Sequence, residues 1–323
     1  IGNINMGGGG ANKNVIINGA MNVAQRSTST TGIGGSSGYF ACDRWKITTG
    51  NTAGRLTMTQ DSSAPSGFAN STKLACTTAD TSIAAGELTI IGQSLEGQNV
   101  QGFCKGTSDA KPFVVSFWVK GNASATYVAE LYDHDNTRNV TQAFSVTTDW
   151  SQIELTFPAD TTGALDDDNA ASLTFQIWIH AGSTYSGGTF ADNTWASVTQ
   201  ANRYAGSRTS FFDSTSRTFF ITGVQLEVGQ NPTTFEHEDI STTLSKCQRY
   251  YNKMSEQLYG GYGTDSAADY ATIWFPTEMR DDPTMTGVGS SNTAQAVSEE
   301  FAQCYRVGGY AVWSQDATAD AEL

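Results

Sequence analysis

Along most of the chain apolar and polar residues alternate with a period of two. In PFVVSFWVKGN, Phe113, Val115, Phe117 and Val119 fall on one face, and Val114, Ser116, Trp118 and Lys120 on the other. That is the spacing of a strand with one face against a core. ATYVAELYDHD sets Val128, Glu130 and Tyr132 opposite Tyr127, Ala129 and Leu131. SLTFQIWIH sets Leu173, Phe175, Ile177 and Ile179 against Ser172, Thr174, Gln176, Trp178 and His180. RTFFITGVQLEVG puts Phe220, Thr222, Val224, Leu226 and Val228 opposite Phe219, Ile221, Gly223, Gln225 and Glu227. Each run is short and bounded by Gly, Asn, Asp or Ser. The pattern predicts an all-β chain built as a jelly-roll sandwich. No long helical period occurs before residue 238, which argues against a βαβ series and the dinucleotide-binding or barrel enzymes made from it.

One stretch departs from this pattern. Ile240, Leu244, Cys247, Tyr251, Met254 and Leu258 recur at steps of four and three, a helical stripe that Asp239 or Ser241 would cap. The β-prone pair Tyr250 and Tyr251 would hold it to two or three turns. Such a helix would close one end of the sandwich or form a three-helix seam at a symmetry axis. The chain thus divides into a Gly-rich connector (1–13), a jelly roll (14–238), a linking helix (239–258) and a small distal β domain (259–323). In the last, YATIWFP and YRVGGYAVWS read as strands, MRDDPT as a turn, and GVGSSNTAQAVSEE as a loop or short helix. Gly7 to Gly10 read as a tether, since no strand precedes them and no Lys-Ser/Thr follows, as a phosphate loop requires. Trp45 and Trp118 are expected to fill the core, and Phe235, after the Pro232 stop, to plug it before the helix.

Composition narrows the function. With 33 Gly, 6 Pro and a formal charge of −14 over 323 residues, the chain suits short strands and a hydroxyl-rich surface. Its acidity disfavours nucleic acid and anionic membranes as partners. No apolar run is long enough to span a bilayer, so no membrane insertion is expected. Cys42, Cys76, Cys104, Cys247 and Cys304 are odd in number and far apart. They read as buried thiols of a protein made in a reducing cytoplasm. The start lacks the features of a signal peptide, and a chain beginning at Ile1 is either processed or part of something longer.

Candidate chemistry is sparse. No GxSxG or HExxH occurs, and nothing pairs Glu130, Asp133, Asp135 or Asp166 as the two carboxylates of a glycoside hydrolase. Catalysis is therefore not expected, and no cofactor is. Calcium is the one ion the sequence suits. The loops YDHDNT (Asp133, Asp135) and LDDDN (Asp166, Asp167, Asp168) offer oxygen ligands, though neither has the Gly and Glu of an EF-hand loop. The alternative is that these are solvated turns. For a glycan, sugar faces stack on aromatic rings while polar side chains take the hydroxyls. Trp178 and His180 on the polar face of their strand, Tyr132 running into Asp133 and His134, and Trp195 in a polar loop, with Tyr185 and Tyr204, supply those groups. The same rings could instead pack on a second sheet or a neighbouring subunit.

Several phrases together resemble a recurrent family of bacteriophage tail-fibre and virion proteins: NVIINGAMNVAQRSTS (14–29) with ACDRWKI (41–47), VVSFWVKG (114–121), GVQLEVGQNPTTFEHEDISTTLSKCQRYY (223–251) and the final ATADAEL. The resemblance runs from about residue 14 to 323. It implies a jelly roll like a carbohydrate-binding module, a distal C-terminal domain, a homotrimer, and a chain that ends at Leu323. It places the protein in the virion, made in the host cytoplasm, among other tail or capsid proteins. The function so implied is host-surface glycan recognition by a tail fibre or tail tip. An architectural capsid decoration or adaptor and a polysaccharide-degrading tailspike are the alternatives.

Overall fold

The computed structural model describes residues 13–254, 258–288 and 292–323. The Gly7–Gly10 run lies outside them. In chain order the strands begin with β1 (Ser29–Ile33), β2 (Gly38–Tyr39), β3 (Lys46–Gly50), β4 (Arg55–Asp61), β5 (Ser71–Thr78) and β6 (Leu88–Glu96). They continue with β7 (Phe113–Gly121), β8 (Ala125–Asp133), β9 (Arg138–Val146), β10 (Ser151–Phe157), β11 (Ala171–Ala181), β12 (Ala196–Ser197) and β13 (Thr218–Val228). A four-residue helix α1 (Ser183–Ser186) follows β11. The C-terminal part holds helix α2 (Ile240–Gln248) and strands β14 (Tyr251–Lys253), β15 (Leu258–Trp274), β16 (Thr284–Val288), β17 (Thr293–Val297) and β18 (Phe301–Asp320).

Two antiparallel sheets make the jelly-roll sandwich, ordered β1-β4-β5-β13-β7-β10 and β12-β9-β8-β11-β6-β3-β2. The alternation read in β7 and β11 is the alternation observed: Phe113, Val115, Phe117 and Val119 meet Leu173, Phe175, Ile177 and Ile179, all buried. Phe117 reaches across to Phe175 with ring centres 5.9 Å apart, and Tyr127 to Phe219 at 5.5 Å. Trp45 is fully buried in this core, its Nε1–H donating to the Asn18 carbonyl.

Three expectations about side-chain placement need correcting. The strand β13 does not hold one register. Phe219 and Ile221 point into the core, but so do Val224 and Leu226, because the pairing with β7 shifts between Thr222 and Gln225. Gly223 sits in that irregularity at φ +61°. One extra residue turns every later side chain to the other face. A Cβ on Gly223 would also lie 2.6 Å from the Phe68 ring. Trp118 is on the outer face and half-buried rather than in the core. Phe235 does not re-enter the core; it packs on Phe68 at 5.0 Å and on His237 at 4.9 Å outside the first sheet.

The helix is shorter than residues 239–258. It is capped by Asp239, whose side chain accepts from the Ser241 N–H, and ends at Gln248. Tyr251 joins β14, which pairs with β18, and Leu258 opens β15. The apolar stripe therefore spans a helix and two strands, and Ile240 stays exposed at 55%. The stretch read as a loop or short helix supplies strand β17. Around β18 gather β14, β15, β16 and β17, a third sheet. Among the described residues no helix is long and apolar enough to cross a membrane.

Charged groups fasten this third sheet to the sandwich. Arg44 is fully buried, pairs with Glu322, donates to the Ser94 carbonyl and lies 3.4 Å over the Tyr250 ring. Arg26 pairs with Asp320 and Glu322 and lies 3.6 Å over Tyr251. Glu96 at the end of β6 accepts two bonds from Arg249 and others from the Tyr250 hydroxyl and Gln98. Burial would raise the Glu96 pKa, but these donors outweigh it and hold the carboxyl below its usual 4.5. A depressed carboxylate contributes stability that is complete above 4.5 and lost as pH falls through the lower native value. Thermal unfolding measured from pH 6 downward should show a steeper acid loss for the native chain than for Glu96→Gln, which lacks that titration. Equal slopes would contradict the assignment.

Candidate functional site

The outer face of the second sheet carries the main cleft. Register fixes its floor. Across β3, β6, β11 and β8 one row reads Lys46, Gly92, Gln176, Glu130; a second Thr48, Ile90, Trp178, Val128; a third, shared by β6, β11 and β8, Ser94, Thr174, Tyr132. Side chains two apart on a strand share a face, so the polar face read for SLTFQIWIH is this floor. The chain leaving β11 folds back over one side through α1 and the turn Gln200–Asn202, bringing Tyr185, Gln200 and Arg203 to the wall. The space between is about 350 Å³.

Gly92 keeps the floor open. A Cβ there would stand 2.7 Å from the Phe175 carbonyl oxygen and 2.8 Å from Gln176 Cβ, so no larger residue fits without moving β11.

At the β8 end of the first row, under Arg203, Glu130 is fully buried and fully engaged. Its Oε1 accepts from Asn139 Nδ2 at 2.6 Å and Arg203 Nε at 2.9 Å. Its Oε2 accepts from Gln176 Nε2 and Trp178 Nε1, both at 2.6 Å, and from Arg203 Nη2 at 2.9 Å. A buried carboxylate with five donors is a fixed anchor rather than a mobile acid or base. The Arg203 guanidinium, so held, lies 4.6 Å over the Trp178 ring and 4.9 Å over Tyr132. Tyr132 meets His134 edge to face at 4.7 Å. His134 Nε2 bonds Thr174 Oγ1 at 2.7 Å, and Ser94 Oγ bonds the same oxygen at 2.9 Å. The cleft thus offers aromatic surface beside hydroxyl, amide, imidazole and guanidinium groups, the composition of a site for a polyhydroxylated ligand.

The residues proposed from sequence are not all together. Tyr132, His134 and Trp178 line the cleft. Trp178, however, is fully buried, enclosed by Tyr185 at 5.3 Å and Tyr204 at 6.3 Å. His180 lies past an irregular pairing of β11 with β6 between Trp178 and His180 and is sealed under the returning loop, with Nδ1 on Ser210 Oγ and Nε2 on Glu87. Trp195 lies outside the cleft, donating to the Pro158 carbonyl and packing on Phe113. Asp133 faces away from it, buried. Its Oδ2 accepts from Lys105 Nζ at 2.6 Å and its Oδ1 from the Asn136 N–H.

That pair engages Asp133, one of the proposed calcium ligands, with a cation of the chain itself. Lys105 Nζ is itself fully buried among Asp133, Asp160 at 3.1 Å, and the carbonyls of Thr162 and Gly163 at 3.0 and 2.9 Å. An ammonium stands between the two carboxylates where a cation would. Asp135 accepts from the Asp166 N–H, and Asp135, Asp166, Asp167 and Asp168 are exposed. Among the described residues no group of three or more His, Cys, Asp or Glu side chains is placed to hold a metal.

Lys46, Ser94, Thr174, Gln176 and Arg203 were not singled out from sequence. Strand parity identifies Thr174 and Gln176 as neighbours of Trp178. Nothing local marks Lys46 or Arg203, which arrive through a distant strand pairing and a loop.

No protein-family model matches this sequence, and no curated protein matches it. Among solved structures it is similar to a family 11 carbohydrate-binding module from Clostridium thermocellum in complex with a β-1,3-1,4-mixed-linked tetrasaccharide. That likeness has 12% identity and a TM-score of 0.31 over 64% of this chain and 99% of that one. A xylan-binding domain from CBM 22 gives 12% and 0.33 over 59% and 90%. A family 30 carbohydrate-binding module gives 12% and 0.32 over 71% and 93%. What those modules bind is a property of those modules.

Proposed function

We propose that the chain is a non-enzymatic, glycan-binding component of a bacteriophage virion, in a tail fibre or tail tip, that engages host-surface polysaccharide through the cleft on its second sheet. The observation that carries the binding role is the cleft itself, with Tyr132, Arg203 and Trp178 stacked beside Thr174, Gln176 and His134. Binding is favoured over hydrolysis because among the described residues no Asp or Glu lines the cleft, and Glu130 at its edge is held by five donors. The virion role rests on the linked phrases around QLEVG, CQRYY and ADAEL. Assembly as a homotrimer with other virion proteins is part of the same reading. The exposed Trp274, 68% accessible, and Val307, 50%, support a further contact surface on the third sheet. Calcium is not needed in this reading, since Lys105 supplies the cation between Asp133 and Asp160.

Labelled protein should stain host cells. Tyr132→Ala and His134→Ala should each weaken that staining about tenfold at most, the scale of an aromatic contact, with melting temperature nearly unchanged. Protein that never stains host cells, or staining indifferent to both substitutions, contradicts the binding role.

A further inference from the structure

Acidic residues outnumber basic ones 32 to 18 in this chain, yet the charged side chains that reach the cleft are Lys46 and Arg203, with His134 between aromatic and hydroxyl neighbours. From this we infer that the ligand of the cleft is an acidic polysaccharide, one whose sugars carry carboxylate or phosphate. The inference rests on the glycan-binding reading above and names its substrate class.

The two cations stand at opposite ends of one row. Lys46 on β3 pairs with Gly92 on β6, Gly92 with Gln176 on β11, and Gln176 with Glu130 on β8. Arg203 is fixed to Glu130 at the far end. Three steps between neighbouring strands span roughly 14 Å, about the reach of two or three sugar rings. Gly92, with no side chain, leaves the middle of that row low. A glycan lying across the strands would run over Gly92 and Gln176 with an acidic group near each end.

Neither cation is exhausted by the protein. Lys46 Nζ has three donors, and one goes to the Leu323 carbonyl at 3.1 Å. Arg203 has five; Nε and one Nη2 proton go to Glu130, and one Nη1 proton goes to Gln200 at 3.0 Å. Glu130 offsets one positive charge, and among the described residues no Asp or Glu side chain lines the cleft beside Lys46 and Arg203. His134 is held neutral: burial lowers its pKa, Asp135 and Asp133 oppose that, and Arg203 and Lys46 reinforce it. It therefore adds no charge of its own near neutrality. A cleft lined by these cations in a protein of net negative charge favours an anionic chain over a neutral one and turns away cationic chains.

The test uses the full chain and four immobilised polymers: a polyuronate, its carboxyl-reduced neutral counterpart, a phosphodiester-linked sugar polymer and a neutral glucan, each over a salt series. Binding to the polyuronate or to the phosphate polymer, weakening with salt and absent from both neutral polymers, supports the inference, and the two anionic arms say which acid is read. Lys46→Met should weaken the anionic binding roughly tenfold, the scale of one lost hydrogen bond to a charged group. Lys46→Arg should restore most of it, which a loss of folding could not mimic. Binding to the neutral polymers equal to or stronger than to the acidic ones overturns the inference and leaves the cleft's glycan role standing. Binding to none of the four, together with host cells left unstained, overturns both.

Discussion

Replacing Lys105 with methionine is expected to lower stability by about 3–5 kcal/mol. The reason is geometric. The Lys105 ammonium touches four oxygens within 3.1 Å, two of them on the carboxylates of Asp133 and Asp160, and its side chain is fully buried. Methionine keeps much of the volume and removes the charge, leaving buried Asp133 without its ion-pair partner. Asp160 keeps Arg138, whose Nε and Nη2 donate to its two oxygens at 2.9 and 3.1 Å. The loops from β6 to β7 and from β10 to β11 are joined through this ammonium, so both should loosen together. Equilibrium denaturation checks the size of the loss. A chelator should leave the melting temperature of the native chain unchanged, because the cation between the carboxylates is covalently part of it. A Lys105→Met protein of native stability, or a native chain destabilised by chelator, would contradict this account.

Trp178→Ala is expected to cost about 3–5 kcal/mol as well. An exposed ring stacking on sugar would lose affinity and keep its melting temperature. Trp178 is instead enclosed by Tyr185, Tyr204 and Arg203, and its N–H holds Glu130. Removing it opens a large void beneath the wall of the cleft and takes one of five donors from a buried carboxylate. Trp178→Phe separates the two effects, since it keeps most of the ring volume and loses the bond, at about 1–3 kcal/mol. Glycan affinity should fall in both variants through loss of the wall's position. Trp178→Ala with unchanged stability would place the ring in solvent and contradict the packing described.

The two sheets were legible because β7 and β8, and β11 from Leu173 to Trp178, keep a period of two. The inward residues of β11 are Leu173, Phe175, Ile177 and Ile179, as the alternation alone implies. Reading failed where that period breaks. At Gly223 an irregular pairing moves Val224 and Leu226 to the face that Phe219 and Ile221 occupy, and alternation carries no sign of the inserted residue. Beyond Gln248 a helical spacing of apolar residues continues by chance into β14 and β15, because Tyr251 and Leu258 are buried or paired by a third sheet that a local window does not see.

The cleft was legible in part, for the same reason. Parity put Trp178 and His180 on the outer face of β11 and Tyr132 on that of β8. It could not say that the loop after β11 returns to seal His180 and bury Trp178 while delivering Arg203. Nor did the phrases that carry the family resemblance find the cleft. Residues 14–29, 41–47, 223–251 and 317–323 meet where the sandwich joins the third sheet, through Arg26, Arg44, Gln25 and Glu322. Of the cleft residues those phrases contain only Lys46. Four of the five phrases meet at that junction, the fifth, VVSFWVKG, lies in β7, and the cleft belongs to other strands.

Hydrogen–deuterium exchange of the full chain with and without a bound polysaccharide tests the central claim most directly. The account predicts added protection in β8 and β11 and in the segment around Arg203, with the third sheet unchanged. Protection on the exposed face of Tyr270 and Trp274 in the third sheet, with none in the cleft, would contradict it.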